Sequence, residues 1–283
     1  MRQCGDSRVL AQLLTRRNPH FSYGLCFVTT MHPWLETLVA VFVSATAFMV
    51  GYRFKRACFV WMALGVAGIG TALLLGDYLS RRESGYLMCL AVPLVSAPLL
   101  RYPVSRITAG GLVTATFIAV VYSGWMEFIG PAISRNEVSQ LKTRFSKTGI
   151  CMQGTGYTCG PAAAVTALRK LGFPAEESEI GLLAYCSQHT GTYAQDLAAA
   201  MLQKYGGDGL KCSYHVLNDM KELREMGLSL TVIELEPGLH HWVAVLEVTD
   251  QDVKLGDPLN GLRSESLAIF QSHWDKQTIK VWR

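Results

Sequence analysis

The segment Gln153-Gly154-Thr155-Gly156-Tyr157-Thr158-Cys159-Gly160-Pro161 sets one cysteine where a glycine-rich loop turns into a helix, with Pro161 suited to its first turn. The first amides of a helix have no partner within it and carry the positive end of its dipole. A thiol placed there ionises more readily than an ordinary cysteine of pKa about 8.5. A thiolate is the nucleophile of acyl transfer, which also needs a base and a set of donors for the oxyanion. His240 and His241 open an apolar alternation that reads as a strand, and Asp257, before Pro258, ends the next one. Adjacent antiparallel strands bring such residues together. Asp257 then accepts the proton of one ring nitrogen of His241 and leaves the other facing Cys159. Gln153 can add a side-chain amide to the oxyanion donors beside the backbone N–H of Cys159. On spacing alone a structural role for Cys159 stays open, since one cysteine at a helix start is commonly structural.

Other tempting residues have plainer readings. His240 alternates with His241 on its strand, which suits a solvent-facing or structural role. Cys151 precedes the glycine loop and lacks a helix start, so it is the weaker nucleophile. His189, His215 and His273 have no partner spacing, and Gly191 reads as a turn. Cys186 and Cys212 read as buried apolar residues, although bridges among the later cysteines stay open in an oxidising compartment. The eight cysteines include no CxxC pair and no Cys/His zinc spacing, so neither a metal nor a cofactor is expected. A net charge of +4 is small for 283 residues and does not indicate a nucleic-acid partner.

The elements that must position these residues follow from pattern. Helices are expected over 161–171, closed by Gly172, over 177–185, and over 196–205, the last with Thr192 and Gln195 in capping-box spacing. Strands are expected over 229–234, 241–248, 253–256 and 278–282. Helices first and antiparallel strands afterwards make an α+β domain at 147–283, large enough to hold a core without staples. A polar linker is expected over 131–146.

The rest of the chain is of another kind. Half of all residues are hydrophobic, only 17% are charged, and the mean hydropathy is +0.22. Charge-free runs at 37–52, 57–76, 84–100 and 107–126 carry the excess. A membrane span takes about 20 apolar residues, so an α-helical membrane domain of about four spans is expected at 35–130. The third run, holding Pro93 and Pro98, is the weakest. Trp34, Tyr122 and Trp125 suit interface anchors. Residues 1–34 form an arm without a signal peptide, and Met31 is an alternative start. Arg2, Arg8, Arg16, Arg17, Arg81 and Arg82 favour a cytoplasmic N-terminus, which puts the C-terminal domain inside as well. A start at Met31 leaves the side undecided. The expected location is the cell membrane, as a multi-pass protein.

The spacing of Gln153 and Cys159, the run Cys-Gly-Pro-Ala-Ala-Ala leading into a helix that ends Leu-Gly, Gly191-Thr192, His241-Trp242-Val243, Asp257-Pro258 with Gly261, and the closing Phe270 and Trp274 resemble the bacteriocin-processing cysteine peptidase family. The resemblance covers about residues 147–283. It implies a papain-like fold with Cys159 as nucleophile, His241 as general base and acid, Asp257 as its orienting residue and Gln153 as oxyanion donor. It also implies cleavage of leader peptides after a Gly-Gly pair. Three features depart from the family. Thr158 stands where many members have an acidic residue. The domain follows the apolar runs instead of preceding them. No GxxxxGK[ST] loop occurs, so the chain has no ATP site of that kind, and any peptide exporter is a separate partner. The expectation is a membrane-anchored cysteine peptidase acting on a peptide or protein. The alternatives are a non-catalytic leader-binding accessory protein and another acyl transferase or amidase with the same triad.

Overall fold

A computed structural model describes residues 33–53, 60, 63–69, 81–99 and 106–283. Helix α1 (Pro33–Arg53) begins on a proline, whose missing N–H costs a first turn nothing, and carries Glu36 in its first turn and Arg53 in its last, as the helix dipole favours. Residues 63–69 are also helical. Helix α2 spans Arg81–Leu99 and helix α3 spans Arg106–Val120. A π-helical turn, Val121–Trp125, and helix α4, Met126–Ser139, follow α3 with no residue between them. Both residues flanking the π turn have right-handed helical dihedrals, so the backbone is helical from Arg106 to Ser139.

Small residues pack the inside of this bundle. Ala40, Ala47, Cys89, Ala91 and Ala97 are buried, while Leu38, Phe42, Met49, Leu90 and Ile118 are exposed. The buried hydroxyls of Ser44 and Ser96 donate back to Ala40 O and Val92 O, and Trp125 Nε1 donates to Ser44 Oγ at 3.1 Å. Gly124 has no room for a side chain: a Cβ there would sit 2.7 Å from Cys89 Sγ.

The expected spans map unequally onto these elements. Run 37–52 lies in α1, run 84–100 in α2 up to Leu99, and run 107–126 crosses α3, the π turn and the start of α4. Most of run 57–76, and the arm 1–34 apart from Pro33 and Trp34, fall outside the described residues. Among the described residues no single helix is long and apolar enough to cross a membrane. Arg81, Arg82 and Glu83 occupy the first turn of α2, and the π turn ends α3 after 15 residues. The expected linker 131–146 is corrected: Pro131 lies inside α4, and residues 131–139 are helical. Its polar residues Arg135, Asn136 and Glu137 form only an outer face, while Phe128, Ala132 and Val138 are buried.

The C-terminal half starts with a short hairpin, β1 (Arg144–Phe145) with β2 (Cys151–Met152). Helices α5 (Cys159–Lys170), α6 (Glu177–Leu183) and α7 (Ala194–Tyr205) follow. Gly172, at φ +87, takes the left-handed position that closes α5. Then come β3 (Lys211–Val216), α8 (Met220–Met226), β4 (Ser229–Glu236), β5 (Leu239–Val248), β6 (Asp252–Asp257), β7 (Gly261–Ser266), α9 (Leu267–His273) and β8 (Trp274–Trp282). The six strands form one antiparallel sheet in the order β3-β8-β4-β5-β6-β7. Strand periodicity splits the core into two layers. Trp242 and Ala244 pack with Leu168, Leu197 and Met201 of α5 and α7. Val243 and Val245 pack with Ile233, Leu255, Phe270 and Leu223 beneath α8 and α9.

The expected order of helices and then antiparallel strands holds, with shifts at the ends. Helix α5 begins at Cys159 itself. Helix α7 begins at Ala194 with Tyr193 before it and no side-chain cap, so the capping box expected from Thr192 is absent. Thr192 is instead drawn inward, its carbonyl accepting Trp242 Nε1 at 3.1 Å.

Candidate active site

The loop before α5 is tied down from several sides. Thr155 N donates to Thr158 Oγ1 at 3.1 Å, and Gly154 N donates to Glu177 Oε1 at 2.8 Å. Glu177 is fully buried, and burial raises its carboxyl pKa against the opposing bonds from Thr158 and Gly154. Because the Thr158 hydroxyl is engaged in this loop, it does not cap α5. The amides of Cys159 and Gly160 are left as first-turn donors without intrahelical partners, while Pro161 has none to offer. Gly160 meets β5 closely: a Cβ there would lie 3.1 Å from Thr192 Cβ and 3.2 Å from Trp242 Cδ1.

Cys159 is half-buried, and its thiol lies close enough to His241 to help raise the imidazole's pKa. The β5–β6 ladder pairs Ala244 with Gly256. One step further along it, Asp257 lies opposite Val243 and diagonal to His241 on the same side of the sheet. His241 Nε2 bonds Asp257 Oδ1 at 2.9 Å, which leaves Nδ1 as the ring nitrogen not engaged by that carboxylate. Burial pulls the pKa of His241 down. The bond to Asp257, the nearby thiol of Cys159 and the charges of both partners outweigh it and push the imidazole up to about 9. Asp257 is fully buried, and burial alone would raise its carboxyl. Its bonds to His241, Asn260 and Leu259 N reverse this and hold it well below the usual carboxylate range. Leu259 N donates to Oδ1, while Asn260 Nδ2 and Arg263 Nε donate to Oδ2 at 2.9 and 2.8 Å. Four donors thus meet a group with about four acceptor positions.

Gln153 is on the same loop, but its side-chain nitrogen donates to Thr155 O at 2.7 Å. An amide nitrogen carries two hydrogens, so one N–H remains. Its oxygen is buried without a partner, and its backbone N–H donates to Pro258 O, joining the loop to the turn after Asp257. The other sequence candidates lie elsewhere. Cys151 is buried, and burial, then the charges of Glu177 and Glu176, push its thiol up to about 12. His240 is exposed and pairs with Asp275 at 3.3 Å. Cys186 and Cys212 are unbridged. Sequence reasoning missed Asn260, Arg263 and Glu177. Asn260 lay in an evident turn, but β7 alternates polar and charged side chains and carries no strand signature, which hid Arg263.

Residues 147–283 match the model of the Peptidase C39 family. A 125-residue stretch is 29% identical to an uncharacterized protein of Methanothermobacter marburgensis, covering 44% of this chain and 82% of that protein. An uncharacterized protein of Methanothermobacter thermautotrophicus is 28% identical over 52% of this chain and 97% of its own length. Among solved structures, the peptidase domain of Streptococcus ComA, a bi-functional ABC transporter involved in a quorum sensing pathway, is 18% identical with a TM-score of 0.40. That match covers 46% of this chain and 94% of the domain. A double glycine motif protease from an AMS/PCAT transporter, solved with its leader peptide, is 17% identical with a TM-score of 0.38, covering 50% and 91%. Residues 147–283 are thus similar to the Peptidase C39 family, and they fold as helices followed by an antiparallel sheet.

Proposed function

We propose that this protein is a membrane-anchored cysteine peptidase that removes leader segments from peptides or proteins after small residues such as a Gly-Gly pair. The observation that carries this reading is the bond of His241 to buried Asp257, with Cys159 at the start of α5 close enough to act on the same imidazole. The Cys159 thiolate attacks the scissile carbonyl carbon, and the C–O π electrons move to oxygen. The amides of Cys159 and Gly160 and the remaining N–H of Gln153 are the donors for that oxyanion. His241 gives its proton to the departing amine as the thioester forms, then takes one from the water that hydrolyses it. Asp257 keeps the ring in one tautomer and stabilises the imidazolium.

The tight packing of Gly160 against Thr192 and Trp242 fixes the start of α5, and with it Cys159, while the preference for small residues in the substrate rests on the similarity to the family. Membrane anchoring is supported by the bundle's faces: Ala40, Ser44, Ala47, Cys89, Ser96 and Ala97 face inward on α1 and α2, beside Glu36 and Leu94, while Leu38, Phe42, Met49 and Leu90 face outward. The basic residues flanking the runs favour a cytoplasmic peptidase domain, with a separate exporter for the product. A reporter fused after Arg283 tests the side.

The activity test incubates the full-length protein with peptides carrying a Gly-Gly pair and analyses products by mass spectrometry. Cleavage by the wild type, reduced about a thousandfold or more in Cys159→Ala and His241→Ala, is expected. Full activity in either variant rejects the assignment. A peptide bound but never cut points to the accessory role, and an amine-linked product points to acyl transfer.

A further inference from the structure

Asp257 is joined to more than His241. Strand β7 pairs with β6 so that Arg263 lies opposite Leu255 and Glu265 opposite Val253. Asp257, Arg263 and Glu265 therefore share one face of the sheet, as alternate residues along their strands. Arg263 Nε donates to Asp257 Oδ2 at 2.8 Å, and its Nη1 contacts Glu265 Oε1. Glu265 Oε2 lies 3.0 Å from His273 Nε2, close enough to interact electrostatically but not aligned as a hydrogen bond. Charge alternates along this line from the imidazole of His241 to carboxylate, guanidinium and carboxylate. The side chains of Asp257, Glu265 and Arg263 are 0%, 10% and 26% exposed, so water screens the two carboxylates little and reaches the guanidinium only in part. The rigid, planar guanidinium suits this place, because it can hold two carboxylates at fixed angles where an ammonium would act as a point charge.

We propose that Arg263 is a positioning residue of the peptidase site: it fixes the carboxylate plane of Asp257 against His241 and offsets part of that carboxylate's charge, while Glu265 sets how much of the guanidinium charge reaches Asp257. This role rests on the peptidase reading and acts through Asp257, since Arg263 does not touch the thiol. The titratable and charged groups that face His241 and Asp257 among the described residues are Cys159 from α5, Arg263 and Glu265 from β7, and His273 from α9. His240 is engaged with Asp275 instead.

The sign of the charge effect separates this role from a merely structural one. Removing Arg263 leaves the full Asp257 charge acting on His241, so the imidazole holds its proton to higher pH. Removing the Glu265 charge leaves Arg263 unopposed, and the imidazole releases its proton at lower pH. The readout is the pH dependence of Cys159 alkylation by iodoacetamide in the full-length protein, whose upper transition follows His241, together with kcat and KM for peptide cleavage. In Arg263→Met the upper transition should rise by about half a pH unit or more, with kcat reduced about tenfold and KM little changed. In Glu265→Gln the transition should fall. Arg263→Lys should keep the transition and lose part of kcat.

Transitions unmoved in both charge variants, or moved in the same direction, overturn the role. If Arg263→Met does not fold, Glu265→Gln decides: a downward shift supports the role and no shift overturns it. A wild type with a two-stage alkylation profile that cuts no peptide rejects the peptidase reading while leaving the positioning test intact. A wild type lacking the upper transition overturns the positioning role.

Discussion

Cys159 differs from the other described cysteines in its surroundings. Burial pushes the thiols of Cys186 and Cys212, like that of Cys151, up to about 12. Cys159 is half-buried at a helix start and close to the His241 imidazole. A haloacetamide at neutral pH should therefore modify Cys159 ahead of these three, as peptide mapping would reveal. Labelling of Cys151 at an equal rate would contradict this. Under the proposed mechanism the pH dependence follows from His241, which would have to carry a proton to release the amine. Activity should fall as pH rises through about 9. Because the folded pKa of His241 is raised from 6.5, its contribution to stability is complete below 6.5 and lost as pH rises toward 9. Asp257 is depressed, so its contribution is present above its ordinary value of 3.8 and lost on acidification below it. In Cys159→Ala two of the influences that raise His241 vanish, and NMR titration should find the ring deprotonating below 9.

At the scale of elements, the start of α5 must lie against Thr192 and Trp242, which is why residue 160 has no side chain. Gly160→Val should cost about 1–3 kcal/mol in stability and raise KM for peptides more than it slows alkylation of Cys159, measurable by chemical denaturation and steady-state kinetics. The placing of Cys159 at a helix start, the pairing of His241 with Asp257, and the helix-then-strand order were legible in the sequence because each depends on local signals: a glycine loop before proline, strand alternation, and a turn at Pro258. What was not legible depends on tertiary contact. Thr192 looked like a helix cap until Trp242 claimed its carbonyl. Glu177 looked like an ordinary acid in a helix's first turn, yet it is buried under the loop that precedes Cys159. β7 concealed Arg263 because its side chains serve a line of charge and not an apolar core. Pro131 read as a break, but α4 carries it within the helix because its neighbours Phe128, Ala132 and Val138 are buried.

Across the whole molecule, the helical bundle and the C-terminal domain share α4. Glu127 Oε1 accepts from Tyr193 OH at 2.9 Å, Ser134 Oγ accepts from Gln188 N at 3.1 Å, and Glu137 Oε2 accepts from Tyr157 OH at 2.5 Å. Val138 packs so near Gly181 that a Cβ on the glycine would lie 2.9 Å from its Cγ1. A fragment beginning at residue 147 lacks all of these contacts. It should melt lower than one beginning at Met126, by several degrees, and cleave peptide more slowly, since Tyr157 and Tyr193 flank the site. Equal melting temperatures would show that α4 is only a tether. The seam between the two halves consequently falls inside a helix, not in a loop, and this restricts recombination. A chimera that joins a foreign bundle at residue 140 would inherit a helix whose face does not fit the loops of the C-terminal domain. One that crosses over within Val121–Trp125 would keep α4 with its own domain, and it is the junction expected to yield an active hybrid.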